Sequence, residues 1–171
     1  MQLSLHSLLL CLSLPLLAHA FIGYGIPMYN PSCAFACRAA IASATLTCTD
    51  NGNSGHSHHG GSTATTPECR ASNAPFLTTL AWCMKSTCAE FDIEAWRLEK
   101  YWMDQAAGDK TLPLRWTYAE SIQLVTGPPV QDFDKEVVMN TTVAVPVASW
   151  EAQKYTLEHF AGQEILHARY G

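Results

Sequence analysis

The chain has 171 residues, an apolar fraction of 48% and a formal net charge of −5. The length fits one domain and the apolar content permits a core. The negative charge speaks against a nucleic-acid partner, which needs clustered Lys and Arg. Residues 21–89 carry two acids and three bases, whereas residues 90–171 carry thirteen acids and seven bases. The acidic second half reads as a solvated outer face rather than a cation trap.

Residues 1–20 read as a signal peptide. The apolar run Leu8 to Leu17 has signal-peptide length, and Ala18-His19-Ala20 places small residues where the peptidase cuts. The run is too short to cross about 30 Å of hydrocarbon, and no other stretch is apolar enough to do so. Residues 21–171 are then one disulfide-bonded extracellular domain. Six of the seven cysteines fall in it, at Cys33, Cys37, Cys48, Cys69, Cys83 and Cys88. An even number behind a leader suits a disulfide framework.

Phe21 to Pro31 is punctuated by Gly and Pro and reads as extended. A first helix is expected over Ser32 to Leu46, capped by Asn30 or Ser32 with Pro31 in its first turn. It is rich in Ala, and its small residues let another backbone approach. Residues 47–66 form a His/Gly/Ser loop whose composition cannot bury enough apolar area to fix itself, so mobility is expected. A second helix is expected over Pro75 to Cys88, with Asn73 as cap. Two helices joined across a loop make an antiparallel hairpin. That hairpin pairs Cys33 with Cys88, Cys37 with Cys83 and Cys48 with Cys69, one of fifteen possible connectivities. Cys88 is expected past the helix end.

A third helix is expected from Asp92 to about Ala106, ended by Gly108, with an apolar row of Phe91, Ala95, Leu98 and Trp102. Thr117 and Glu120 form a capping box for a short helix, and Gly127-Pro128-Pro129 stops it. Val130 to Ser149 reads as extended, with one edge strand at most. Ser149 is expected to cap a last helix reaching about Tyr170. The expected fold class is thus mainly α: a small disulfide-stapled helical domain with irregular loops and at most one short strand pair.

His56, His58 and His59 lie in the 47–66 loop. Neutral imidazole is a good ligand for Cu, Zn, Ni and Fe, and this run offers two or three nitrogens from one segment. The competing reading is a polar linker with incidental histidines, since a flexible site spends binding energy on ordering itself. Asn140-Thr141-Thr142 is the usable N-glycosylation sequon. His159 and His167 stand eight residues apart near one face of the last helix, most simply facing solvent. Nothing suggests a nucleophile: the cysteines read as paired, and no local motif suggests a Ser-His-Asp set. No catalytic residue is assigned.

Several stretches in order resemble the fungal ferric-chelate and cupric reductases of the plasma membrane. They are Gly23-Tyr24-Gly25, the Cys33-x3-Cys37 helix, Thr66-Pro67-Glu68-Cys69, Phe76-Leu77-x-Thr79-Leu80-Ala81-x-Cys83-x4-Cys88, Trp96-Arg97-Leu98-Glu99-Lys100-Tyr101-Trp102, and the closing His167-Ala168-Arg169-Tyr170-Gly171.

 The resemblance implies an extracellular amino-terminal domain ahead of a first transmembrane helix, on the extracellular face of the plasma membrane or secreted. In that family, NADPH and FAD on the cytosolic side pass electrons through two haems to Fe(III) or Cu(II) outside, and the membrane portion of the reductase is the partner. Haem, FAD and NADPH are implied for a full-length reductase and not for this chain, which has no Gly-rich nucleotide motif and no paired haem histidines in a membrane span. Cys33-x3-Cys37 followed by Cys48-Thr49-Asp50 also looks distantly like the haem-binding CFEM domains, in which an Asp is the axial ligand. The cysteine count falls short of that pattern, and the intervening loop is too long for it. A third alternative is a purely structural ectodomain that covers a membrane partner.

Overall fold

The computed structural model describes residues 29–49 and 65–170, with the side chains of the last helix described as far as residue 162. Helix α1 spans Ser32–Ala40 and buries Cys33, Ala34, Ala36 and Cys37. Its N-cap is Pro31, with no side-chain cap. The two expected caps are used elsewhere: Ser32 Oγ donates to the Glu158 carboxylate at 2.9 Å, and Asn30 Oδ1 accepts from Arg97. The helix stops at Ala40, short of the expected Leu46. Beyond it the chain makes single turns, Ala42 N–H to Ala39 O and Ala44 N–H to Ile41 O. Leu46 then pairs with Met139 in an isolated parallel bridge, and Met139 N–H donates to Thr45 O at 2.8 Å. Ile41 and Leu46 are both fully buried this way. Burying those two side chains outweighs the helix preference of the alanines around them.

A short helix not expected from sequence, α2, spans Pro67–Ser72. Thr66 caps it by accepting from Cys69 N–H, with Pro67 at the first position. Helix α3 spans Ala74–Cys88, and the Asn73 side chain accepts from Phe76 N–H at 2.9 Å, as the cap rule requires. Cys88 is its last residue rather than lying beyond its end. Cys33 bridges Cys88 and Cys37 bridges Cys83, with Cα separations of 5.5 and 5.8 Å. The reversed order makes α1 and α3 an antiparallel pair, as the hairpin reading expects. The third bridge, Cys48–Cys69, has a Cα separation of 5.7 Å. The fold is mainly helical and stapled by these three bridges, each adding about 2–4 kcal/mol.

After α3 the chain makes a 3-10 turn over Ala89–Phe91. Asp92 then adopts a left-handed conformation with φ +47°, so it cannot serve as the expected N-cap. Helix α4 therefore begins later and spans Ala95–Gln105, capped by Glu94 without a side-chain bond. Trp102 is fully buried and donates from Nε1 to Trp116 O at 2.9 Å. Of the expected apolar row, Leu98 and Trp102 face the core, Ala95 is exposed and Phe91 is 42% exposed. Gly108 ends the segment at φ +91°, a value that favours glycine.

Helix α5 spans Tyr118–Gln123 and carries the full Thr117–Glu120 capping box. The stretch from 124 to 146 is irregular and largely exposed, but buries Met139 and Val143 in the core. Instead of an edge strand it contributes two isolated bridges, Leu46 with Met139 and Asp132 with Ala144. Helix α6 spans Val147–Tyr170, so Ser149 lies inside it rather than capping it. Trp150 anchors α6: it is 6% exposed and donates from Nε1 to Cys33 O at 3.1 Å. Lys154 and Glu158 pair at 2.7 Å on the same side, and Lys154 lies over the Phe91 ring. The core thus lies along α3, against α1 on one side and α5 on the other, with α6 packed on α1; Phe76, Leu77, Leu80 and Met84, with Trp102 of α4, fill it. Each such side chain contributes about 1.5–3 kcal/mol by leaving water.

Candidate functional site

His56, His58 and His59 lie outside the described residues, as do Asp50 and the 1–20 leader. The structure does describe the two ends of the 47–66 segment, and they are held together. The Cys48–Cys69 bridge closes the base. Beside it, Thr49 and Thr65 are each 7% exposed and share a hydroxyl hydrogen bond of 2.7 Å. Thr65 Oγ1 donates on to Ala44 O at 2.8 Å, and Leu46 N–H donates to Thr49 Oγ1 at 2.8 Å. Asn73 Nδ2 reaches Thr47 Oγ1 at 3.3 Å. Two buried threonines cost desolvation unless their hydroxyls are paired, and here they are. The composition of 47–66 predicts mobility throughout, but residues 47–49 and 65–66 are built into the domain as a neck.

The expected modification site, Asn140, is exposed. The segment around it is fastened to α3. Thr142 Oγ1 and Thr78 Oγ1 lie 2.7 Å apart, and Val143 N–H donates to the fully buried Thr79 Oγ1 at 3.0 Å. Asn140 rims a cleft of about 410 Å³ formed by residues of the 131–143 stretch. His159 is exposed and stacks on Tyr155 with ring centroids 6.3 Å apart. The His167 side chain lies outside the described side chains. A second apolar cleft, also about 410 Å³, lies between the end of α4 and the Lys110–Thr117 turn, floored by Trp102 and walled by Leu112 and Trp116.

A basic cluster that sequence reading does not single out stands at the end of α4. Arg38 Nε donates to Ala106 O at 3.0 Å, and Arg70 Nη1 donates to Ala107 O at 3.4 Å. Burial lowers the Arg38 pKa to about 10, and the neighbouring Arg70 charge acts in the same direction. Burial lowers Arg70 as well. Tyr101, packed edge-on against Phe35, is raised by burial, and its hydroxyl is buried with no hydrogen-bond partner. Arg38 and Arg70 are 32 residues apart and come from different helices, so no local spacing signals their approach.

Among the described residues, no three His, Cys, Asp or Glu side chains are placed to share a metal ion, and no helix is long and apolar enough to cross a membrane. No family model, curated protein or solved structure matches the chain.

Proposed function

We propose that this chain is an extracytoplasmic domain of a ferric- or cupric-reductase-like system at the cell surface, and that its histidine loop takes up Fe(III) or Cu(II) as substrate. Three disulfides fit an extracellular or secreted protein. The observation that carries the loop reading is the neck: the bridge and the Thr49–Thr65 bond hold together the two ends of the segment that bears His56, His58 and His59. A closed loop has fewer conformations to lose than an open one, which lowers the ordering cost of gathering several imidazoles on one ion. The domain has no catalytic residues of its own in this reading, and its role is to present metal to a membrane partner.

Competition with a chromophoric chelator at neutral pH measures the Cu(II) affinity. Replacing His56, His58 and His59 together with Ala abolishes the binding if the loop is the site. Equal binding by the variant rejects the loop and leaves a domain that only covers its partner. Sequencing the transcript downstream of the Gly171 codon tests the membrane part separately. An open frame encoding about twenty apolar residues supports it, and a stop codon removes it.

A further inference from the structure

We propose that Arg38, Arg70 and Gly108 form a binding site for a small oxyanion (phosphate, sulfate or a carboxylate) at the C-terminal end of α4. The two guanidinium groups arrive from α1 and α2 and converge on one backbone position. A Cβ on Gly108 would stand 3.5 Å from Arg70 Nη1 and 3.6 Å from Arg38 Nη2. Both nitrogens therefore lie within about 7 Å of each other, a gap that one oxyanion spans with two charge-assisted bonds of about 2.8 Å. Gly108 is exposed and has no side chain, so the approach to both guanidiniums from its side is short and open.

Charge gives the site its sign. The three ion pairs among the described residues involve Lys100, Lys135 and Lys154, and none involves Arg38 or Arg70. The carbonyls of Ala106 and Ala107 each take one N–H, and the partial negative charge at a helix end favours a cation. Two adjacent full charges exceed what two carbonyl dipoles offset. Burial is the main cause of the lowered Arg38 pKa, and the Arg70 charge adds to it in the same direction. An arginine also has five donors in a planar fork, and its one described bond to carbonyl leaves that fork able to take a bidentate anion.

Tyr101 is the independent observation. It is 4% exposed, sits on α4 one turn before its end, and has a buried hydroxyl with no partner. Its ring packs edge-on against Phe35 with centroids 4.8 Å apart, and Phe35 lies on α1 one turn before Arg38, which places the two groups in one neighbourhood. A buried hydroxyl without a partner costs about 1–3 kcal/mol. An oxyanion beside Arg38, or a water that it orders, supplies the missing acceptor.

The test uses the disulfide-intact chain. Its melting temperature is followed in rising inorganic phosphate against potassium chloride at equal ionic strength, and affinity is measured by titration calorimetry. Sulfate and acetate are run beside phosphate to separate tetrahedral from carboxylate ligands. Saturable stabilisation by at least one of the three is expected. Arg70→Gln should weaken that affinity about tenfold or more, and Arg70→Lys by less, because a lysine keeps the charge but loses the fork. Arg38 is the more buried of the two, so the Arg70 variants decide the matter if Arg38→Gln does not fold. No saturable effect from any of the three anions overturns the site. Binding by Arg70→Gln equal to that of the unaltered chain also overturns it and leaves both arginines as caps on the helix end.

Discussion

Removing the Cys48–Cys69 bridge by the double substitution Cys48→Ala and Cys69→Ala should destabilise the domain chiefly through its unfolded state. The bridge spans a sequence separation of 21. For a loop of that length the chain-entropy relation gives about 3 kcal/mol at 25 °C. Losses in the native state are small by comparison. Cys48 is exposed, and the neck keeps its Thr49–Thr65, Thr65–Ala44 and Asn73–Thr47 hydrogen bonds. Urea denaturation followed by circular dichroism gives the free energy in water for both proteins. The expected fall of about 3 kcal/mol corresponds to roughly 6–12 °C in melting temperature for a chain of this size. The denaturant slope should rise, because an unbridged chain exposes more surface when it unfolds. A fall below about 1 kcal/mol refutes the entropy argument. A fall of about 5 kcal/mol or more with an unchanged slope refutes it too, since the bridge would then be holding native packing.

Mild reductant should open Cys48–Cys69 before the other two bridges, because Cys48 is exposed while Cys33, Cys37, Cys83 and Cys88 are at most 2% exposed; alkylation and peptide mass mapping that finds Cys33 or Cys83 labelled first contradicts this. Thr79→Val should cost about 1–3 kcal/mol, because it strips the acceptor from the buried Val143 N–H at a fully buried site. Hydrogen exchange at that amide should accelerate, and unchanged exchange refutes the assignment. Glu158 is held below its ordinary 4.5 chiefly by its bond to Lys154; burial opposes this, and the Ser32 bond and the Lys154 charge add to the lowering. A depressed folded-state value contributes stability above pH 4.5 that is lost as pH falls through the lower folded value. Glu158→Gln should therefore flatten the stability profile in that acidic window, and an identical slope counts against the pairing. At Asn140, a purified oligosaccharyltransferase should modify the reduced, unfolded chain far better than the folded one, because Thr142 and Val143 are engaged by α3 in the native state; equal modification of both forms removes that reasoning.

Local rules carried the reading furthest where a side chain bonds its own backbone. Asn73 before Pro75 and Thr117 before Glu120 start helices in the structure as they do on paper, since each cap satisfies N–H groups two or three residues away. The same rules fail at Ser32, Asp92 and Ser149. Ser32 is drawn to Glu158, 126 residues along the chain, Asp92 is turned into a left-handed bend, and α6 begins at Val147 ahead of Ser149. The candidate histidines were legible because a dense His run stands out by composition alone. The Arg38–Arg70–Tyr101 cluster was not, because each residue is unremarkable among its own neighbours and only packing brings them together.

The sequence by itself determined that the protein is helical and bridged. Cysteine number and spacing, and the caps at Asn73 and Thr117, are local or combinatorial properties that are fixed before the chain folds. Tertiary structure decided the rest. It ended α1 at Ala40 so that Ile41 and Leu46 could be buried, and it closed the neck under the histidine loop through two threonines sixteen residues apart. It also set two arginines side by side at one helix end. Each of these depends on contacts between residues distant in sequence, whose burial and charge energies exceed the few tenths of a kcal/mol that separate most local conformational preferences.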